Sequence, residues 1–567
     1  MAHKNIQMKK REGSQWDNLY PITLDSNVFD TKGVPLSQKL TNTVNSLNAK
    51  IDEKHQQVTT QLTQIEQRMD NEYDEVTAQL TQIEQRMDNE YDEITTQLEL
   101  LDRQKLPKDK LPYVFVDLFG AKGDGINDDT QAIKNAINSV SEKGALVFRA
   151  GGKYRITSTI TIDASKIRML KGYNSYIIVD GDFDGIYYKG NKTFKGTAPD
   201  ENVNTLKYDE IFNIVQGIQF YGIPDPKTGL YRGRGLVIED QHSPVVTDCH
   251  FFNLNHGLEI RGMNTRNIVI SNTNFWDNRT SGLYFSGGEA HQCVITNCHI
   301  SYSKYSIYVD EGYTLYNLHI SNCDMEAQEG QNEPFRSFLY VLGRSLEILV
   351  SNTTLQDHKI VNVSPDLAYF ENVKVLLFTG CYFSHTRGNA INIRSGSHVI
   401  INGCFMEDVY GDGIIINNAS DVQINGNIFY EIWGSCIKSE NGVERFNIEA
   451  NRATDVGIFI DIYNTKSSFI DSSISNNLIR PNIAPAIKME SVLNVRNLII
   501  SNNSIYWATD TYDNPTQYAV DVKFERASGL IFKDNLLDAR SNNATTGING
   551  FKVKGRGYLS GLILKVN

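Results

Sequence analysis

The sequence predicts an all-β body, coiled as a parallel β-helix and carried on an α-helical coiled-coil stalk. Two internal repeats predict it: an 18-residue helical repeat between Thr59 and Ile94, and a strand repeat of 22 to 32 residues from Gly235 onward. A column of cysteines and asparagines recurs at one offset within the second repeat, so successive repeats stack on one another.

The helical repeat reads TTQLTQIEQRMDNEYDEV from Thr59 and TAQLTQIEQRMDNEYDEI from Thr77. Its apolar positions Leu62, Ile65, Met69, Tyr73, Val76 and Leu80 are spaced 3, 4, 4, 3, 4, then recur through Ile83, Met87, Tyr91, Ile94 and Leu98. That is one hendecad plus one heptad, a narrow and nearly straight seam. Leu40, Val44, Leu47, Ile51 and Val58 extend it upstream, with His55 interrupting. One helix cannot bury such a stripe, so residues 36–105 are expected to associate as a stalk roughly 100 Å long. Pro107 and Pro112 end it, making 106–112 a neck.

After the neck, the stretch FGAKGDGINDDTQAI from Phe119 leads into Val147-Phe148-Arg149-Ala150-Gly151-Gly152-Lys153-Tyr154. A strand and a glycine turn precede a helix that Asp128 or Asp129 is placed to cap, with Ile133 and Ile137 on one face. This stretch resembles the N-terminal signature of the pectate-lyase-like right-handed β-helix superfamily, to which many phage tail spikes belong. The departure is Arg149-Ala150-Gly151, where that family usually has proline before the glycine turn. The resemblance implies a capping helix and first coils over 113–234 and regular coils over 235–567. The aromatic segment Trp16 to Thr23, within residues 1–35, resembles the short N-terminal region of tail proteins from phages of Gram-positive hosts, which implies a virion-attachment segment.

Within the coils, strands of small–apolar–x–apolar–x form recur, as in Gly257-Leu258-Glu259-Ile260-Arg261 and Gly413-Ile414-Ile415-Ile416-Asn417. Their aliphatic positions point inward. A second register aligns Cys249, Thr273, Cys298, Cys323, Cys381 and Cys404, passing to Asn427, Asn477 and Asn503. Five of the seven cysteines thus occupy one stack as small buried groups, which argues against disulfides and against a metal site.

The outward positions carry the chemistry. One column reads Val237, Glu259, Tyr284, Tyr308 and Tyr340, and the next Glu239, Arg261, Ser286, Asp310 and Leu342. The tyrosines form a strip on which sugar rings can lie, flanked by carboxylates and Arg261. Trp276 and Glu326 belong to another column and are expected to wall the same or a neighbouring groove. Glycoside hydrolysis needs two flanking carboxylates. Glu239 and Glu259, one coil and two residues apart and so roughly 8 Å between Cα atoms, are the leading pair, with Asp310 next. Glu326, Asp357, Asp408, Glu431 and Asp455 are alternative acids on other columns. A lyase would need clustered aspartates for calcium and a base such as Arg261, and no such cluster stands on that strand. No other cofactor is expected. His250 and His299 share a column after the ladder, as hydrogen-bonded turn residues.

A net charge of −12 lacks the basic face that nucleic-acid binding needs, and no apolar run reaches membrane-spanning length. The first residues show no secretory leader. Together with the resemblance, these features imply a homotrimeric phage tail spike in the virion. Its N-terminus would join a tail or baseplate protein. Its body would bind and depolymerise a bacterial surface polysaccharide (exopolysaccharide, capsule or teichoic acid) outside the host cell. The rivals are a non-catalytic receptor-binding tail protein and a polysaccharide lyase.

Overall fold

The computed structural model describes residues 4–12, 15–24, 36–103, 111–190, 212–327, 334–357, 364–464, 469–483, 485–506, 518–538, 545–548, 551–554, 557–559 and 562–564. The chain divides into two compact units, 1–106 and 107–567. The expected neck lies largely outside the described residues.

In the first unit, Lys4–Glu12 and Gln15–Leu24 pair antiparallel as a hairpin. One uninterrupted helix, α1, then runs from Leu36 to Arg103. Its upstream seam residues Leu40, Val44, Leu47, Ile51, Val58, Leu62 and Ile65 stand 47–60% exposed along the single chain. Over these described positions the apolar stripe is therefore left exposed by the single chain.

The second unit opens with strand Leu111–Phe115, a turn closed by Gly120 in the left-handed region, and helix α2 over Thr130–Ser139. Ile133 and Ala136 of α2 are buried and Ile137 packs against the same core. The expected cap differs in detail. Asp129 occupies the cap position, but its carboxylate accepts the Lys122 and Gly123 amides, and Asp128 accepts the Thr130 amide at 3.0 Å. Asp129 therefore ties the preceding glycine turn down, and the helix start falls to its neighbour.

Some 14 turns of parallel β-helix follow. A typical turn carries three strands, such as Arg234–Glu239, Val245–Thr247 and His250–Phe252, each pairing in register with its counterpart one turn on. Three parallel sheets result, here the first, second and third in chain order. Inside, Phe220, Phe251 and Phe275 stack at 4.7 and 5.0 Å on the third sheet. The parallel course ends at the last turn. Phe551–Lys554, Gly557–Leu559 and Leu562–Leu564 fold back antiparallel on the final strands, instead of continuing as coils.

The polar ladder lies at the turn between the second and third sheets. The residue before each ladder position (Asp248, Asn272, Asn297, Asn322, Gly380 and Gly403 among them) has φ near +50 to +60°, which is why Asn, Asp and Gly recur there. Four of the five ladder cysteines reach the carbonyl of an earlier coil with the thiol: Cys249 to Val215, Cys298 to Ile270, Cys323 to Ile295 and Cys381 to Val350. Asparagines do the same with Nδ2: Asn427 to Ile401, Asn477 to Ile448, Asn503 to Ile474. Thr353, Asn451 and Asn535 also belong to this column. All seven cysteines are buried and unpaired, and burial pushes the Cys249 thiol up to about 12.

Candidate functional site

The first sheet sets the outward column expected from the strand pattern. Val237 pairs with Glu259, Glu259 with Tyr284, Tyr284 with Tyr308, Tyr308 with Tyr340, and Tyr340 with Tyr369. With one coil every ~4.8 Å, these rings meet. Tyr284 stacks on Tyr308 at 5.1 Å, and Tyr340 on Tyr369 at 5.1 Å. Tyr305, three residues earlier on the strand of Tyr308, inserts between them at 4.9 Å from Tyr308 and 4.7 Å from Tyr340. His256 closes the strip at 4.4 Å from Tyr284. Tyr305, Tyr369 and His256 lie outside the predicted strip. The first and last were missed because they sit at the strand entry, ahead of the repeating apolar pattern.

His256 is almost fully buried. Burial, and then the nearby Arg234 charge, push its pKa down to about 3, and its Nδ1 lies 2.7 Å from the Ser281 hydroxyl. The sign follows directly. Below the ordinary value of 6.5 the unfolded chain binds a proton that the folded chain refuses, so stability is complete above 6.5 and falls toward pH 3. From pH 7 to 5 this group alone should remove about 2 kcal/mol. Urea unfolding of His256→Gln at the two pH values should show a fall smaller by that amount; an unchanged fall would contradict the buried neutral imidazole.

Beside the strip lies a charged cluster. Glu259, its side chain 4% exposed, forms ion pairs with Arg234 and with Arg261 at 3.2 Å, and accepts the Ser286 hydroxyl at 2.6 Å. Both arginines also meet Asp184, Arg234 at 3.2 Å and Arg261 at 2.8 Å. The Arg261 guanidinium lies over the Tyr187 ring at 5.4 Å. Burial works to lower the Arg261 pKa, but Glu259 and Asp184 outweigh it and hold it above its ordinary value. Glu239 accepts the Tyr187 hydroxyl at 2.7 Å and faces Lys189 at 3.3 Å. Asp310 differs from both acids. Its oxygens meet the hydroxyls of Tyr284 at 3.2 Å and Tyr308 at 3.3 Å and the Glu311 amide at 3.0 Å. Burial and Asp310 push the Tyr284 phenol up to about 12, so it remains a donor, and the Glu259 charge also reaches it.

Trp276 and Glu326 lie on the third sheet, not the first. They share a column with Ser301 between them, so they form a neighbouring surface rather than a wall of the strip. Trp276 is 57% exposed and edges Tyr302 at 5.7 Å. A cleft of about 220 Å³ opens beside it, lined by Gln219, His250, Phe252, Asn274 and Asp277 among others. His250 and Asn274 are hydrogen-bonded at 3.0 Å, and His299 faces Asp324 at 3.1 Å. Among the described residues, no group of three or more His, Cys, Asp or Glu side chains is arranged to hold a metal ion.

Residues 113–329 match the family described as rhamnogalacturonase A/epimerase, pectate lyase-like, and residues 337–479 match the right-handed β-helix region. Over 53 residues the chain is 47% identical to the capsule K30/K69-specific depolymerase of Klebsiella phage K64-1. That stretch is 9% of this chain and spans only 7% of the relative's length. Among solved structures, the Dettilon tailspike protein gp208 is 13% identical over 74% of this chain and 69% of its own, with a TM-score of 0.39. The pre-mature bacteriophage phi29 gene product 12 is 13% identical over 78% and 75%, with a TM-score of 0.38. The body of this chain is a right-handed parallel β-helix, and its first half is similar to the pectate-lyase-like family.

Proposed function

We propose that the chain is a phage tail-spike subunit that binds a bacterial surface polysaccharide along the tyrosine strip and depolymerises it by carboxylate-assisted glycoside hydrolysis. The observation that carries this reading is Asp310, held among the described residues by two phenols and a backbone amide in the middle of a stacked aromatic strip. Those are neutral donors that a sugar hydroxyl can replace, and the rings offer flat apolar faces to pyranose C–H groups. The short stretch shared with a capsule depolymerase supports the substrate class.

Of the three carboxylates expected to act, Asp310 suits the partner that handles the proton. Glu259, among guanidiniums, suits the partner that acts as an anion, the division of labour that differing surroundings impose on paired acids. Glu239 is engaged by Tyr187 and Lys189 and is assigned to positioning Lys189 and, through the field of the cluster, Arg261. Elimination with Arg261 as base is disfavoured, because its guanidinium is committed to two carboxylates that stabilise its charged form.

The helix α1 is assigned the oligomerising role, as a three-stranded coiled coil, and residues 1–35 the attachment to a tail or baseplate protein. Leu62→Glu with Ile65→Glu should convert a trimeric mass into a monomeric one by sedimentation equilibrium, since each charge would sit in the apolar seam. An unchanged mass would remove the stalk assignment. The activity itself is tested by adding the purified protein to host surface polysaccharide and following chain size by light scattering. Falling size supports depolymerisation; tight binding at constant size supports a receptor-binding protein without catalysis.

A further inference from the structure

At the turn from the third sheet to the first, one position per coil runs Arg387, Tyr410, Trp433, Gly457, Asn482. The backbone fixes this alignment: Tyr410 N donates to Thr386 O, Trp433 N to Val409 O, Gly457 N to Ile432 O and Asn482 N to Val456 O. Tyr410 and Trp433 are 55% and 66% exposed, among the most exposed large aromatic side chains of the described coils. Their rings lie 11° from parallel with centroids 5.6 Å apart. Tyr410 therefore covers one face of the indole. The other face is turned toward the coil of Gly457, which contributes no side chain. None fits there, since a Cβ would run into the carbonyl oxygens of Gly434 and Trp433. The next side chain along the column is exposed Asn482, two coil rises or roughly 10 Å from Trp433.

The result is a slot with an aromatic wall, a bare backbone floor and an amide on its far side. An isolated apolar contact would call for aliphatic walls. A stacked indole with an exposed primary amide two coils on instead matches a ring with an apolar face and a hydroxylated rim, because the amide both donates and accepts. Two coil rises leave room for one saturated six-membered ring stacked on the indole.

We infer that Trp433, backed by Tyr410 and with Asn482 two coils on, binds a single pyranose unit, forming a second glycan site several coils beyond the tyrosine strip. The inference rests on the reading that the partner is a polysaccharide, and adds to it a hold on the chain away from the point of cleavage. Such a hold strengthens binding of long chains and leaves the chemical step on short ones untouched.

The test applies the full-length protein to an array of defined pyranose oligosaccharides in hexose, N-acetylhexosamine, 6-deoxyhexose and hexuronate series. Trp433→Ala, Trp433→Phe and Asp310→Asn are run beside it, with sedimentation and circular dichroism to check assembly and fold. Binding of at least one series should fall about 10-fold or more in Trp433→Ala, stay within about threefold in Trp433→Phe, and show the same dependence on Trp433 when the substitution is combined with Asp310→Asn. Array binding indifferent to Trp433→Ala, or no pyranoside bound by the wild type, would overturn the slot. So would a changed oligomeric mass without a changed array profile, which would make the aromatic pair an interface between copies. The two readings separate cleanly. Cleavage with Trp433-independent binding sinks the slot alone, whereas Trp433-dependent binding with no cleavage of any polysaccharide sinks the hydrolase alone.

Discussion

Asp310→Asn should lower reducing-end release by about 10²–10⁴-fold, the range associated with removing a general acid or base. Stability should change by less than about 1 kcal/mol, because the replacement is isosteric: its amide oxygen can still accept from Tyr308 and the Glu311 amide, and its NH2 can donate to the Tyr284 hydroxyl, which rotates to accept. The contrast with Glu259→Gln makes this diagnostic. Glu259 is buried between Arg234 and Arg261, so its neutralisation leaves two guanidiniums short of a counter-charge and costs stability as well as rate. Chemical denaturation and initial rates on the same two proteins separate the roles. A full rate in Asp310→Asn would move the chemistry off this strip.

The second large effect lies in the fold. Asn477 donates from Nδ2 to Ile448 O at 3.0 Å and Asn503 Oδ1 at 2.8 Å, and its Oδ1 accepts the Asn451 amide at 2.9 Å and Nδ2 at 3.0 Å. Asn477→Ala strips partners from a buried carbonyl and a buried amide at once, and should destabilise the body by about 2–4 kcal/mol. Asn477→Cys should cost less, because a thiol at this position reaches the same carbonyl, as Cys249 and Cys323 do in earlier coils. Urea midpoints with an unchanged slope would measure both. Equal losses for alanine and cysteine would refute the view that the column is selected for a donor to the preceding coil.

That interchangeability explains why so much of the body was legible. The ladder was visible because a left-handed turn position admits chiefly Asn, Asp and Gly, and the next position needs a small donor, so the pair recurs as Asn-Cys, Gly-Cys or Asn-Asn. It was missed at Asn451, because Ala450 holds the left-handed position at φ +56° and hides the signature. The tyrosine column was legible because alternation fixes which residues face outward once the aliphatic ones are inside. The ion cluster was not. Arg234 aligns with Asp184 across a connection of more than forty residues, and nothing in strand alternation spans that connection. Its consequence, that Glu259 is enclosed by guanidiniums whereas Asp310 meets neutral donors, depends on side-chain packing that spacing alone does not encode. That Trp276 stands on another column was legible, but whether that column walls the strip or a neighbouring groove was not, since column membership does not reveal the angle between faces.

The most direct test of the account measures new reducing ends, with absorbance near 235 nm in parallel, after incubating the protein with purified surface polysaccharide of its host. The account predicts reducing ends that rise with time, no new absorbance, and loss of the signal in Asp310→Asn. New absorbance at 235 nm, or polysaccharide that is bound tightly and never shortened, would contradict it.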